Sequence, residues 1–263
     1  MKTIKEGYKG QDVIRLCELL GIPCISNFDN SIKSEVIKFQ RDNKLDADGI
    51  CGPKTWLKLF INDRLQKNSS PNIVESDYVW AGEFINCESA AIKAVKDVET
   101  SGRSGFECPG KPQILFEGHI FYKELKSRGI DPSIWQKKYP SIVYPSWTKK
   151  YYKGGLGEYS RLEVAKGINE DAALESISAG LFQILGQNYK TCSCSSVKEF
   201  WNKMCESQFQ QFILGVEFIR NNNLHKYLER KDWASFAKSY NGPGYKSNSY
   251  DVKLENAYKK YKK

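Results

Sequence analysis

Glu99 stands in the stretch VKDVETSGRSGF, where a helix carrying Ala94, Val95 and Val98 is broken at once by Thr100, Ser101 and Gly102. A carboxyl so placed is either an ordinary solvated helix end or a proton donor at the mouth of a cleft. Burial against apolar groups disfavours the carboxylate and raises its pKa toward neutrality, as a general acid requires. Two other carboxylates have settings of interest. Glu117 ends the apolar run Ile114, Leu115, Phe116 and precedes His119, where a strand can hand a side chain to a cleft; Glu175 lies in AALESISAG. Each reads equally well as a structural hydrogen-bonding residue. Gln183 and Asn241 each carry a donor and an acceptor, next to the aromatic faces of Phe182 and Tyr240. Phe182 also fits core packing, whereas Tyr240 and Asn241, just before Gly242-Pro243-Gly244, fit a binding loop.

Other chemistries have little to build on. Only His119 and His225 are present, and of the eight cysteines (Cys17, Cys24, Cys51, Cys87, Cys108, Cys192, Cys194 and Cys205) only Cys192 and Cys194 are closely spaced. A zinc site ordinarily needs two such pairs or a Cys and His set, so the thiols read as buried or incidental and no metal is expected. The same shortage disfavours a thiol or metallopeptidase. Lys and Arg number 40 against 31 Asp and Glu, a net charge of +9 that favours an anionic partner without choosing it. No nucleic-acid-binding motif accompanies the charge. The basic residues are dispersed except for the tail Lys259, Lys260, Lys262 and Lys263, which reads as a solvated helix end. No window approaches the roughly 18 apolar residues of a membrane span, and the first residues lack the apolar core of a signal peptide.

Three elements of about 60 residues open the chain. Val13, Ile14, Leu16, Leu19 and Leu20 recur at helical spacing before Gly21 and Pro23; Ile32, Val36, Ile37 and Phe39 mark a second helix; Pro53 starts a third that carries Trp56, Leu57 and Phe60. They suffice for a small bundle over residues 1–62. Asn, Ser, Pro and charge then replace the pattern, which places a linker at 63–75. A larger domain follows at 76–263, helical through DYVWAGEFI and SAAIKAVKDVE, with a brief strand entering a helix at QILFEGHIFY. The stretch YPSWTKKYYKGGLGEYSRL reads as loop or hairpin, and EDAALESISAGLFQILG and everything beyond it as helical. The predicted class is mainly α, with a minor sheet in the second domain.

The ordered motifs then carry a resemblance. Gly10, Asp12 and Val13, the pair Phe39-Gln40, and the run Asp48, Gly49, Gly52, Pro53, Thr55 and Trp56 resemble the three-helix peptidoglycan-binding domain of cell-wall hydrolases. Cys17 and the NFDNS turn depart from that family's pattern. Most of residues 80–260 resembles the N-acetylmuramidase domain of modular phage endolysins, on AVKDVETSGRSGF, ILFEGHIFY, GGLGEYSRLEVA, EDAALESISAGLFQILGQNY and DWASFAKSYNGPGYKSNSYDVKLENAY. Glu99-Thr100-Ser101, Gly180 to Gln183 and Tyr240 to Gly242 also look like signatures of lytic transglycosylases and goose-type lysozymes.

The resemblance implies a lysozyme-like α+β catalytic domain that hydrolyses the β-1,4 bond between N-acetylmuramic acid and N-acetylglucosamine for host lysis. Glu99 would be the general acid, with Glu117, Glu175 or water alone completing the chemistry. Phe182, Gln183, Tyr240, Asn241 and His119 would bind sugar. It also implies no cofactor, peptidoglycan as partner, no nucleic acid, no stable membrane insertion, a monomer, and residence in the host cytoplasm until lysis. The rival readings are a lytic transglycosylase forming 1,6-anhydro products and a non-catalytic wall-binding virion protein.

Overall fold

In the computed structural model, which describes residues 1–23, 25–68 and 70–262, the chain divides into two compact units, Met1–Ser70 and Pro71–Lys263. Cys24 and Lys263 lie outside the described residues, as does Ser69 of the expected linker.

The first unit packs α1 (Gln11–Leu20), α2 (Asn30–Asp42) and α3 (Pro53–Lys67) around Val13, Leu16, Ile32, Val36, Trp56 and Leu59. Asp29 caps α2 by accepting from the backbone N–H groups of Ser31 and Ile32, and Pro53 occupies the first turn of α3, where its missing N–H costs nothing. Gln40 is the polar centre. Its buried amide donates to Asp48 Oδ1, the Ile50 carbonyl and Thr55 Oγ1, while its Oε1 accepts from the Gly49 N–H. One glutamine therefore ties the motif turn to the start of α3.

Helix α3 runs on through Asp63 to Lys67, well into the segment expected as linker. Buried Arg64 favours this extension, because its guanidinium donates to the carbonyls of Asn68 and Ser70 and so satisfies groups that a helix end leaves open.

The second unit opens with α4 (Glu75–Ile85) and α5 (Ser89–Thr100), then the short pair β1 (Phe106–Cys108) and β2 (Lys111–Pro112), and β3 (Ile114–Phe116). After α6 (Gly118–Ser127), α7 (Pro132–Lys138), α8 (Leu156–Lys166) and α9 (Glu170–Glu175), strands β4 (Ile177–Ala179) and β5 (Ile184–Leu185) complete an antiparallel sheet of order β3-β4-β5. Helices α10 (Val197–Glu206), α11 (Gln208–Asn221), α12 (His225–Arg230), α13 (Trp233–Asn241) and α14 (Tyr250–Tyr261) follow.

The stretch SISAGLFQILG, expected as helix, is instead this β4-β5 hairpin, closed by a 3-10 turn over Gly180–Phe182. Two residues in left-handed conformation make the turn: Gly180 at φ 72° and Gln183 at φ 43°. Pairing of Ile177 with Phe116 and of Ala179 with Ile114 outweighs helix propensity, a contact no local window contains. The long helical run after Ser196 is likewise split. Ser207 ends α10 and caps α11, accepting from the Gln210 N–H, and Lys231 in left-handed conformation separates α12 from α13.

Helix α11 is the core of the unit. Phe209, Phe212, Ile213, Leu214, Val216 and Ile219 bury nearly all of its circumference, each worth about 1.5–3 kcal/mol of transfer free energy. Gly215 lets Phe182 lie directly on the helix, since a β-carbon there would come within 2.2 Å of its ring. Fully buried Gln211 accepts from the Leu181 N–H and donates to the carbonyls of Met204 and Gly105. It thus clamps the hairpin turn and the loop after α5 to one rigid helix.

Candidate active site

Helix α5 buries Ala90, Ala91, Ile92, Ala94 and Val95, small side chains that allow α14 and the hairpin turn to pack closely on it. It ends in a Schellman motif: the Ser101 N–H bonds to the Val98 carbonyl and the Gly102 N–H to the Asp97 carbonyl, with Ser101 in left-handed conformation at φ 52°. The buried Thr100 hydroxyl donates back to the Lys96 carbonyl at 2.8 Å. Glu99 therefore projects from a fixed last turn.

Glu99 as a residue keeps part of its surface in solvent, while protein packs closely around its carboxyl. Burial raises the pKa to about 7, against the opposing effect of Asn241, whose Nδ2 donates to Glu99 Oε1 at 3.0 Å. Asn241 Oδ1 is itself buried and has no hydrogen-bond partner among the described residues. An acceptor left open beside an acid is the expected mark of a place for a ligand donor. The hydroxyls of Tyr240 and Tyr250 also lie in reach of the Glu99 charge; burial first, and that charge second, pushes both phenols up.

Tyr240 donates to the Phe182 carbonyl at 2.5 Å, joining the end of α13 to the Gly180–Phe182 turn. Gln183 follows that turn and its Nε2 donates to the carbonyls of Gly180 and Gln113, leaving Oε1 without a partner among the described residues. A non-glycine residue held at positive φ is strained, and here those two hydrogen bonds secure it. Glu99, Tyr240, Asn241 and the Gly180–Gln183 turn are thus brought together from three distant segments.

The aromatic faces do not serve as expected. Phe182 is completely buried against Gly215 and Phe212, so its ring cannot meet a sugar; only its carbonyl contributes, by anchoring Tyr240. The Tyr240 ring is stacked on Phe236 and edge-on to Phe218, so packing fixes its position.

Glu117, His119 and Glu175 lie in other polar groups. Glu117 precedes the first residue of α6, accepts from the Tyr152 hydroxyl at 2.7 Å and has its pKa raised by burial. Its charge interactions are with Arg161 and Glu158, not with Glu99. His119 Nδ1 approaches Glu117 Oε2 at 3.3 Å without making a hydrogen bond, and burial together with Lys123 lowers its pKa, so the imidazole is neutral at pH 7. Glu175 is paired with Arg128 at 2.6 Å. It thereby holds α9 against α6 as a structural ion pair.

Below the Glu117 group, Glu158 and Arg161 form a buried pair at 2.7 Å. Glu158 also accepts from the N–H groups of Lys153, Gly154 and Phe116, and Arg161 donates to the carbonyls of Phe116 and Ser141 and to the Tyr144 hydroxyl. Neither residue stood out in the sequence, although both lie in the motif GGLGEYSRLEVA. Tyr250 was missed as well; it sits in a quoted motif, but nothing in its spacing points to Glu99.

A raised pKa does not by itself select the acid. Burial also raises Glu217 to about 7, but that carboxyl is held by Ser193 on the inner side of α11. Glu99 differs in meeting solvent and in having an amide partner with an open acceptor. Among the described residues, no group of three or more His, Cys, Asp or Glu gathers closely enough to hold a metal ion, and no helix is long and apolar enough to cross a membrane. Among the described residues seven cysteines are free thiols, of which Cys17, Cys51, Cys192 and Cys194 are buried.

The arrangement suits delivery of one proton to a ligand oxygen beside the Asn241 amide. Comparison with known proteins agrees with that chemistry. The family model for N-acetylmuramidase matches residues 88–262, and a peptidoglycan-binding domain model matches residues 22–59. Among solved structures, the crystal structure of Burkholderia AP3 phage endolysin is similar at 34% identity, covering 99% of this chain and 99% of that one with a TM-score of 0.66.

Proposed function

The chain belongs to the N-acetylmuramidase family, and from that premise we propose that Glu99 protonates the glycosidic oxygen between N-acetylmuramic acid and N-acetylglucosamine. The chain is a peptidoglycan-hydrolysing endolysin of mainly α, lysozyme-like fold. The observation that carries the residue assignment is the Glu99 carboxyl on a rigid helix end, packed in protein, bonded to Asn241 and with its pKa raised by burial to about 7.

As the bond from C1 to the leaving oxygen breaks, the Glu99 proton goes to that oxygen. Water then adds to C1, and the proton it releases restores the acid. Asn241 steadies the Glu99 carboxylate formed midway, and its open Oδ1 accepts from a sugar hydroxyl or acetamido N–H. Gln183 offers a second amide to the same strand. Among the described residues no second carboxylate interacts with Glu99, and the scheme uses water without a dedicated base.

The N-terminal unit, spanning the peptidoglycan-binding match, would hold the wall and raise the local concentration of an insoluble substrate. The net charge of +9 on the whole chain favours encounter with an anionic wall.

Digestion of purified peptidoglycan followed by mass spectrometry tests the reaction. Hydrolysis yields reducing muramic acid ends. Products lighter by one water, the 1,6-anhydro form, would instead establish a transglycosylase using the same acid, and absence of any cleavage would leave only a binding protein.

The pH profile tests the role of Asn241. A general acid is active while protonated, so activity should fall as pH rises through about 7. Asn241 stabilises the carboxylate; Asn241→Leu should therefore move that alkaline limb to higher pH while lowering the maximal rate roughly 10- to 100-fold. A limb that stays in place would show that Glu99 does not set it.

A further inference from the structure

A groove of about 450 Å³ lies between the end of α11, α12 and α13, outside the chemistry described above. Asn188, Asn222 and Asn223 line it with amides, Lys226 and Arg230 with positive charge, and none of its lining residues is acidic. Neither cation has an ion-pair partner among the described residues; the Arg230 guanidinium instead lies 5.8 Å from the ring centroid of Tyr227, another wall residue. Asp232 feels the Arg230 charge without pairing to it, and two cations lacking an ion-pair partner among the described residues favour an anionic occupant of a concave site. Neutral sugar rings make no use of them, whereas carboxylates do.

The groove is joined to the acid through one side chain. The Tyr240 ring forms part of its wall, the Tyr240 hydroxyl is anchored on the Phe182 carbonyl, and the next residue, Asn241, bonds to Glu99. The groove and the acid therefore adjoin through Tyr240 and Asn241. Resting on the reading of the chain as a muramidase, we propose that this groove binds the carboxylate-bearing peptide attached to the glycan. Lys226 and Arg230 pair with its carboxylates, and the three asparagine amides, each both donor and acceptor, match its backbone N–H and C=O groups.

The test compares two substrates, peptidoglycan strands bearing their peptides and strands stripped of them by an amidase, with the lactyl carboxylates so exposed converted to neutral amides. The double variant Lys226→Ala with Arg230→Ala should raise KM on peptide-bearing strands by about 5- to 10-fold with kcat unchanged, and alter KM on stripped strands by less than about 2-fold. The charge-conserving variant Lys226→Arg with Arg230→Lys should keep the wild-type KM. Both side chains are exposed, so the melting temperature should not move. An equal change on both substrates, no change on either, or a loss shared by the charge-conserving variant overturns the assignment. If the wild type releases no reducing ends from either substrate, the muramidase reading itself fails, and the two failures are distinguishable.

Discussion

Glu99→Gln should lower cleavage of purified peptidoglycan by about 10³-fold or more while the protein still sediments with the wall, because glutamine keeps the shape and the bond to Asn241 but has no proton to give. The same substitution should stabilise the fold at alkaline pH, and the sign follows from linkage. Burial raises the folded-state pKa from the ordinary 4.5 to about 7, so the folded protein holds a proton that the unfolded chain releases. The contribution of Glu99 to stability is fully present below pH 4.5 and is lost as pH rises through 7.

At pH 8 the wild type carries that cost and the glutamine variant does not. The difference should be about 2–3 kcal/mol, discounted for the part of Glu99 that meets solvent. Denaturant titrations of both proteins between pH 4 and pH 8 measure it. Opposite movements of activity and stability separate a lost proton donor from a damaged fold. A variant retaining more than a tenth of wild-type cleavage would remove Glu99 from the chemistry.

The second large effect concerns the scaffold. Arg161→Leu should cost about 3–5 kcal/mol, because it strands the Glu158 carboxylate, 0% exposed, without its cation and removes the donor to Phe116, Ser141 and Tyr144. In a unit of this size that corresponds to a melting shift of roughly 6–20 °C. Hydrogen exchange read over Pro71–Lys263 assigns the loss to the second unit, since two units need not unfold together. The double variant Glu158→Gln with Arg161→Leu should recover part of the loss, because an amide can still accept from the Lys153 and Gly154 N–H groups without needing a cation. If Arg161→Leu melts within a degree of wild type, the pair is not holding β3 to the neighbouring loops.

Much of this was legible locally. Helices α1, α2, α3 and α5 follow from apolar spacing and from their start and stop residues: Gly21 in left-handed conformation after α1, Asp29 before α2, Pro53 at the start of α3, Ser101 and Gly102 after α5. The brief strand entering a helix near Ile114 was legible too. The β4-β5 hairpin was not. Ile177 and Ala179 sit in the sheet because Phe116 and Ile114, some 60 residues earlier, pair with them. A helix-period reading of AALESISAGLFQILG has no access to that partner.

The same division runs through the site. Residue type and order in the chain determined that a glutamate ends a helix, that an amide and a turn lie downstream, and that the ordered motifs match one enzyme family. Tertiary packing decided which of three carboxylates stands alone. Arg128, 47 residues away in sequence, takes Glu175 into an ion pair; Tyr152 and Arg161 interact with Glu117; among the described residues Asn241, 142 residues away, is the hydrogen-bond partner of Glu99. It also decided that Phe182 belongs to the core, because Gly215 opens a space that its ring fills. Short-range pattern sets backbone conformation through steric and capping preferences, but a pKa depends on desolvation and charge, which are sums over everything that folding brings near.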